Sequence, residues 1–400
     1  MLKKISQAVD KQRGEAVALL QDLIRAPSPS GSEAEAAEVV AEGMRAAGFD
    51  TVRVDELCDV LGTIKGSGKG RSVLFNGHID HVPPGDMVDP YSGRLMDGTQ
   101  FGVEGEAVYG RAASDMKGAV AAMATAGGVL KELGIELKGD LKVAGVAREE
   151  VGGAGTISTI LDSHFLGDVV IIGEATNMDI ALGHRGHART DVVVKGRSCH
   201  ASAPDRGINA LYKASDLISR IRSELIPRLP EHPIMGKTSL AVTKISVKPD
   251  TSNVVPEECS FHIDCRNTPN YPAEQLQRDL NEVIASVRAE DPELEAQVLP
   301  TQLIRGDRSF SGFYTDPEAN PVVHEVKQAV SEVLGSEPRL KVWTFSTDGR
   351  FYSWMGLPVV GFGPGEERFS HSHQDHVRVE DYIQAVKIYA WLACKICGVE

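Results

Sequence analysis

The order of strand-like and helix-like segments constrains the fold of this chain more than any other feature. In the first half, apolar strand patterns at residues 60–64, 72–76, 141–147 and 169–173 alternate with helical periodicity, most clearly at 116–133. Strands that alternate with helices predict an α/β domain with a mixed, largely parallel sheet flanked by helices.

A second module interrupts this pattern from about residue 188. Its segments are a strand at 190–195, a helix at 207–225, strands at 239–247 and 260–266, a helix at 272–288 and a strand at 294–299. This β-α-β-β-α-β order is typical of a ferredoxin-like α+β domain. The α/β pattern resumes with a helix at 320–334, a strand at 358–361 and a helix at 379–397. We therefore predict a discontinuous larger domain (1–187 and 301–400) into which a smaller domain (188–300) is inserted.

Charge and composition exclude several classes of protein. The 400 residues include 42 Lys and Arg against 56 Asp and Glu, a formal net charge of −14. An acidic chain is a poor match for nucleic acid or an anionic membrane surface. No apolar stretch approaches the ~20 residues of a membrane-spanning helix, and charges from Asp10 to Glu15 interrupt any signal-peptide core. We expect a cytoplasmic protein without nucleic-acid or membrane partners.

Three short motifs carry no chemistry in our interpretation. Cys394 and Cys397 spell CxxC near the end of a predicted helix, which places two small residues one turn apart. Residues 66–70 are glycine-rich, but the Gly and the Ser/Thr that a phosphate loop requires are absent, so they predict a hairpin tip between two strands. Residues 152–155 lack the GxGxxG spacing. No nucleotide cofactor is expected.

The strongest chemical signal is a histidine at the end of an apolar strand. His78 follows the strand at 72–76, where open α/β sheets place their ligands. Asp80 is two residues further on, so in extended geometry both side chains share one face. Its carboxylate can accept the second N–H of the imidazole, as in many metal sites. A structural histidine remains the alternative for this motif alone.

Carboxylates end two other strands. Glu149 and Glu150 follow the strand at 141–147 and face opposite ways, so one could hold a metal while the other transfers protons. Glu174 follows the strand at 169–173, and Asp115 precedes a helix, where an N-cap is the simpler interpretation. Jointly with the histidine these oxygen and nitrogen ligands suit one or two ions of the Zn²⁺ class.

Three histidines near the carboxyl end leave two interpretations open. His371, His373 and His376 follow a Gly-Phe-Gly-Pro-Gly segment at 361–365. They could be a ligand cluster or belong to a solvated loop, and composition does not choose between these.

Residues 198–210, Ser-Cys-His-Ala-Ser-Ala-Pro-Asp-Arg-Gly-Ile-Asn-Ala, resemble the H-[SA]-[SA]-x-P-x-x-G-x-N-A signature of the M20 family. With the strand-end residues in the expected order, nearly the whole chain resembles these metallopeptidases and deacylases. They include glutamate carboxypeptidase, acetylornithine deacetylase and succinyl-diaminopimelate desuccinylase. Residues 343–347 and 361–365 most resemble a subgroup of hydrolases linked by name to selenium metabolism. The resemblance implies that the smaller domain is a lid and that the protein forms a homodimer through it.

The resemblance also implies a di-zinc site, with Co²⁺ or Mn²⁺ as possible substitutes. One ion would be held by His78 and Glu174, the other by Glu150 and His371, and Asp115 would bridge them beside a cis peptide. The family has an acidic residue four places after its ligand histidine. Asp375 stands there relative to His371, so His373 and His376 are not the expected ligands.

The implied reaction is hydrolysis of the amide bond of a small N-acyl amino acid or short peptide. A water that bridges the ions would be the nucleophile, Glu149 the general base and Asp80 a catalytic residue beside His78. His200 would reach across the dimer as oxyanion donor. The residues expected to bind substrate are Arg185, Asn253, Arg266, Thr347 and Arg350. Arg350 could instead pair with Asp348.

Two departures from the family accompany these matches. His81 stands where relatives have Thr or a small residue, which would add a titratable group beside the site, and Arg148 stands where Asp is common. The alternative function is a catalytically silent protein that binds peptides or amino acids. Retention of every expected ligand and of Glu149 favours the enzyme.

Overall fold

The computed structural model describes residues 1–300 and 310–400. In these ranges the helices are α1 (Leu2–Lys11), α2 (Arg13–Arg25), α3 (Ala34–Ala46), α4 (Gly118–Glu132), α5 (Ala154–Leu161), α6 (Ala210–Arg220), α7 (Ile226–Arg228), α8 (Ala273–Glu290), α9 (Pro321–Leu334), α10 (Gly349–Trp354) and α11 (Val379–Cys397).

The strands are β1 (Thr51–Val54), β2 (Val60–Ile64), β3 (Val73–His78), β4 (Arg94–Asp97), β5 (Glu106–Tyr109), β6 (Leu141–Val146), β7 (Val169–Ile172), β8 (Ile180–His184), β9 (Gly186–Lys195), β10 (Cys199–His200), β11 (Glu231–His232), β12 (Gly236–Lys237), β13 (Ser239–Lys248), β14 (Val254–Val255), β15 (Glu258–Asn267), β16 (Glu295–Val298), β17 (Phe313–Tyr314), β18 (Leu340–Trp343), β19 (Val359–Gly361) and β20 (His376–Arg378).

The chain divides into two compact units. The first comprises Met1–Gly183, Tyr314–Trp343 and Thr347–Glu400, and the second comprises His184–Phe313 and Thr344–Ser346. The domain boundary that the sequence places at residue 301 lies outside the described residues, so the predicted division 1–187, 188–300 and 301–400 stays a prediction.

The first unit is built on a nine-stranded sheet with the order β1-β2-β6-β3-β7-β19-β8-β17 and β18 beside β8. The central strands β6, β3, β7 and β19 run parallel, whereas β1 and β2 are antiparallel additions. Every residue of β3 and β7 is buried, as expected of parallel strands covered on both faces. The predicted α/β fold with a largely parallel sheet is confirmed.

The pairing register brings the carboxyl ends of the central strands to one edge. His78 at the end of β3 lies opposite Val146 at the end of β6, and Asn76 lies opposite Ile172 at the end of β7. The residues that follow these three strands therefore meet at this edge of the sheet, where open α/β folds bind ligands.

The glycine-rich segment at 66–70 is not the hairpin tip that the sequence predicts. β2 and β3 do not pair, because β6 lies between them, antiparallel to β2 and parallel to β3. The segment instead contacts the residues that precede β6, where the N–H groups of Ser67 and Lys69 donate to the carbonyls of Leu137 and Lys138. A strand from later in the chain thus separates two strands that are neighbours in sequence.

Small side chains allow the helices of the first unit to pack closely. α4 is rich in Ala and Gly, is buried over most of its length and packs against α11. Cys394 and Cys397 lie buried near the end of α11 as free thiols. No helix in residues 1–300 and 310–400 combines the length and apolarity needed to cross a membrane.

The second unit contains a four-stranded antiparallel sheet with the order β13-β15-β9-β16. Chain order and sheet order together are those of the predicted ferredoxin-like arrangement. Alternate residues of β9 and β15 are buried against α6 and α8, and the others leave a polar face. A separate two-stranded ladder pairs β10 with β14.

Candidate metal centre

His78 lies buried at the carboxyl end of β3 with one ring nitrogen engaged and the other directed at carboxylates. Nδ1 is 3.0 Å from the carbonyl oxygen of Asp80, so it carries the proton and donates it there. Nε2 is 3.1 Å from Oδ1 of Asp115 and 3.6 Å from Oε1 of Glu174. Burial alone would lower the pKa of His78, but the hydrogen bond to Asp115 and the charge of Glu174 raise it well above its usual value.

Asp80 acts on the neighbouring loop as well as on His78. Its Oδ1 is 3.5 Å from His78 Nδ1, whereas its backbone carbonyl oxygen is 3.0 Å away. The acceptor for the His78 N–H is therefore the carbonyl of Asp80, not the carboxylate that the sequence predicts. The carboxylate accepts the backbone N–H groups of Glu149 at 3.0 Å and Glu150 at 3.3 Å. The hydroxyl of Ser30 donates to Oδ2 at 2.6 Å. Asp80 therefore connects the end of β3 to the loop that carries both glutamates.

Asp115 lies in an irregular turn, Ala113–Lys117, that precedes α4. Its backbone is extended (φ −129°, ψ 85°), its side chain does not cap α4, and its peptide bond to Met116 is cis, as the resemblance implies. Oδ1 faces His78, and Oδ2 is 3.3 Å from Nε2 of His371. Burial would raise the pKa of Asp115, but the two imidazoles hold it below its usual value.

His371 approaches from the segment that precedes β20. Its Nε2 is 2.8 Å from Oε1 of Glu150, and its side chain is 51% exposed. Hydrogen bonds to Asp115 and Glu150 raise the pKa of His371 to about 10. His376 is buried elsewhere, where its Nδ1 donates to the carbonyl of Gln374 and its ring stacks on Phe101.

The side chains described so far fit a pair of divalent cations. Two overlapping groups have ligand atoms within 4.8 Å of one another: His78, Glu149 and Glu174, and His78, Asp115 and Glu150. Burial raises the pKa of Glu174 well above its usual value, and its Oε2 is buried without a hydrogen-bond partner in the described residues. Four carboxyl groups thus face two imidazoles, and bound cations would favour the ionised form of the buried carboxyls.

His81, which the sequence predicts as a titratable group beside the site, has both ring nitrogens engaged in hydrogen bonds to backbone groups. Its Nε2 accepts the N–H of Ser28 at 3.0 Å, and its Nδ1 donates to the carbonyl of Val82 at 2.8 Å. This bonding pattern requires the neutral ring. Burial lowers the pKa of His81 to about 4, so the residue ties the Ser28 segment to the end of β3.

The second unit holds four of the predicted site residues. His200 and Asn253 are exposed near the β10–β14 ladder, where the N–H of Ala201 donates to the carbonyl of Asn253. Nδ1 of His200 is 2.7 Å from the hydroxyl of Ser202. Arg185 donates to the carbonyl of Lys237 at 3.1 Å.

Arg266 is held by two neighbours on the polar face of the second unit's sheet. Its Nε donates to Asp264 at 2.8 Å, and its Nη1 is 2.9 Å from Nε2 of His187, its partner in the β9–β15 register. A guanidinium has no acceptor, so His187 accepts through Nε2. Arg266 is therefore preorganised as a donor.

Thr347 and Arg350 belong to the first unit, at the start of α10. Thr347 is buried and its hydroxyl accepts the N–H of Gly349, while the Arg350 guanidinium lies 4.7 Å from the ring centroid of Phe351. Asp348 is buried, and its carboxylate lies beside the hydroxyl of Thr156 in the described residues. The direct Asp348–Arg350 pair that the sequence left open is absent from them.

Sequence reasoning missed two residues that support the ligands. Ser30 bonds Asp80, but a serine in a Pro-Ser-Pro-Ser-Gly segment is typical of any loop. Lys117 is buried close to Asp115 in sequence, and its ammonium donates to the carbonyls of Leu23 and Ala26 at the carboxyl end of α2. The sequence signal for the role of Lys117 was a lysine in an otherwise apolar, Ala/Gly-rich segment.

Comparisons with known proteins agree with this arrangement. A model of peptidase family M20/M25/M40 matches residues 74–395. The uncharacterized protein YgeY of Escherichia coli (strain K12) is 30% identical over 98% of this chain and 98% of its own. A succinyl-diaminopimelate desuccinylase of Gluconacetobacter diazotrophicus is 28% identical over 96% of this chain and 97% of its own. The crystal structure of aminopeptidase PepT from Bacillus cereus shares the fold, with a TM-score of 0.73, 19% identity and coverage of 96% and 98%.

Proposed function

Because the chain belongs to peptidase family M20/M25/M40, we propose that it is a co-catalytic di-zinc amidohydrolase that cleaves a small N-acyl amino acid or short peptide. Family membership makes it a metal-dependent hydrolase of amide or peptide bonds. The observation that carries the finer proposal is the convergence of two imidazoles and four carboxylates at the carboxyl edge of the central sheet.

The ligand set divides naturally between two ions. His78 and Glu174 would hold one, Glu150 and His371 the other, and Asp115, whose two oxygens face the two imidazoles, would bridge them. Imidazole nitrogen and carboxylate oxygen suit Zn²⁺, and Co²⁺ or Mn²⁺ could substitute. When bound, the ions supply Lewis acidity that lowers the pKa of a water molecule and polarises the scissile carbonyl.

Glu149 is the proposed general base. Burial, and next the charge of Asp348, raise the pKa of its carboxyl well above the usual value, which favours proton uptake. Its backbone N–H donates to the carboxylate of Asp80, which fixes the backbone position from which the Glu149 side chain extends. Glu149 takes a proton from the attacking water as the new C–O bond forms. It then gives this proton to the amine nitrogen as the C–N bond breaks.

A carboxylate on the substrate would suit the five residues that we propose bind substrate. Arg266 is a preorganised guanidinium donor, and Arg185, Asn253, Thr347 and Arg350 supply further hydrogen-bond donors. The name of the desuccinylase relative favours an N-acyl substrate. Membership of the subgroup linked by name to selenium metabolism stays a prediction.

A homodimer through the lid, in the cytoplasm, completes the proposal. His200 is exposed in the second unit, and we propose that it serves as oxyanion donor in a partner's site. Strand β13 is ten residues long and pairs only with β15 among the described strands, which leaves an edge for a second copy. All six cysteines are free thiols, as is usual in a reducing compartment.

The test combines metal analysis with a hydrolysis screen. We expect two zinc equivalents in the purified chain and turnover of at least one N-acyl amino acid or dipeptide by zinc- or cobalt-loaded protein. Glu149→Gln should keep the metal and lose about 100-fold or more in kcat. Glu380→Gln is the matched control, because Glu380 pairs with Arg13 on α2. Wild-type turnover by the Glu149 variant would show that the assigned base is wrong.

A further inference from the structure

We propose that Asp375 is a positioning residue that fixes Asp115 relative to His371, so that the two metal half-sites form together. This inference rests on the proposed di-metal function. Asp375 lies four residues after His371 and is 0% exposed. It contacts neither substrate groups nor ligand atoms in the described residues, so its effect would act through the backbone that carries Asp115.

The carboxylate of Asp375 joins the segment before Asp115 at three points. Oδ2 accepts the N–H of Ala112 at 2.7 Å and a guanidinium N–H of Arg111 at 3.2 Å. Oδ1 accepts the N–H of Ser114 at 2.9 Å. Ser114 precedes Asp115 directly, so these bonds set where the bridging carboxylate begins.

Backbone contacts reinforce the same connection. The N–H of Gly110 donates to the carbonyl of Asp375 at 3.1 Å, and His376 pairs with Tyr109 in the β5–β20 ladder. Ala112 and His371 both adopt positive φ, at 68° and 60°. Non-glycine residues keep such conformations only where surrounding contacts determine them. The two segments therefore behave as one unit, held at its centre by the Asp375 carboxylate.

The donor arrangement explains why a carboxyl group suits this position better than an amide. Both oxygens receive N–H donors, so an asparagine amide would turn its own N–H₂ group toward a donor. A glutamate would add a methylene where the side chain is fully enclosed. Loss of such support for a metal ligand costs about 10- to 100-fold in metal affinity or activity.

The test measures Co²⁺ binding by metal-free full-length protein, through the visible absorption of the bound ion and by calorimetry. We expect D375N to bind the second equivalent at least about tenfold more weakly than wild type, with lower kcat and unchanged KM. D375E, which keeps the charge, should lose less. D168N is the control, because Asp168 accepts two bonds from Ser72 at the opposite edge of the sheet.

If D375N does not fold, the metal affinities of D375E and R111Q test the inference instead. R111Q removes one donor to Asp375 and leaves the carboxylate in place. Wild-type affinity for both equivalents in every folded variant would overturn the inference. A wild-type chain that holds no divalent metal would instead overturn the proposed function, so the two failures are distinguishable.

Discussion

His81 should make the chain sensitive to acid, and replacing it by glutamine should remove that sensitivity. The ring is 1% exposed and neutral, with Nε2 accepting from Ser28 and Nδ1 donating to Val82. Glutamine can still present an acceptor to Ser28 and does not titrate. His81→Gln therefore tests the protonation of this ring with little change in shape.

The size of this loss of stability follows from the difference between the pKa of His81 in the folded chain and its pKa in the unfolded chain. Burial lowers the pKa of His81 to about 4 in the folded chain, against about 6.5 when unfolded. Between these values the unfolded state binds the proton and the folded state does not, so stability falls as pH decreases. The loss begins near pH 6.5, reaches about 2 kcal/mol at pH 5 and saturates near 3 kcal/mol below pH 4.

The assay is urea unfolding followed by tryptophan fluorescence at pH 7.5, 6.5, 5.5 and 5.0. All three tryptophans lie in the first unit, so the signal reports the unit that contains His81. Chelator in every buffer removes metal binding from the comparison. The free energy of unfolding of wild type minus that of His81→Gln should fall by about 2 kcal/mol between pH 7.5 and 5. His373→Gln, at an exposed position, should follow wild type. A difference that stays constant with pH would refute the reasoning.

Three further predictions concern the site itself. His371→Ala should reduce bound zinc from two equivalents to one, measured by elemental analysis after dialysis, and retention of both ions would exclude His371 as a ligand. Arg266→Met should raise KM about tenfold or more for a carboxylate substrate with kcat little changed, because a charge-assisted bond is lost; an unchanged KM would remove this anchor. Mixing inactive His200→Ala and Glu149→Gln chains should restore part of the activity if one subunit's His200 serves the other's site. No recovery from subunits shown to exchange would contradict the shared site.

The strand-end residues were predictable from sequence because sheet geometry is general. Apolar runs followed by His78, Glu149-Glu150 and Glu174 place these residues at one edge whenever the strands are parallel, and the register agrees. Asp115 was different. Its local signal resembles a helix cap, and the resemblance to a family was needed to give it a bridging role.

What the sequence could not provide depends on contacts between distant segments. The hairpin expected at 66–70 fails because β6, more than 70 residues later, enters between β2 and β3. The role of Ser30 depends on how its loop meets Asp80, and the neutral state of His81 depends on Ser28, about 50 residues earlier. A local sequence pattern cannot predict these contacts between distant segments, because tertiary packing decides each of them.

The position of β19 has a consequence for synthesis of the chain. This strand lies between β7 and β8 within the sheet, yet its residues, 359–361, are translated long after theirs. His371 and Asp375 follow later still. A nascent chain can therefore form β3, β6 and β7 but lacks the strand and the histidine that complete the edge. Since domains fold as units, we expect the proposed two-ion site to form only after this last part has been translated.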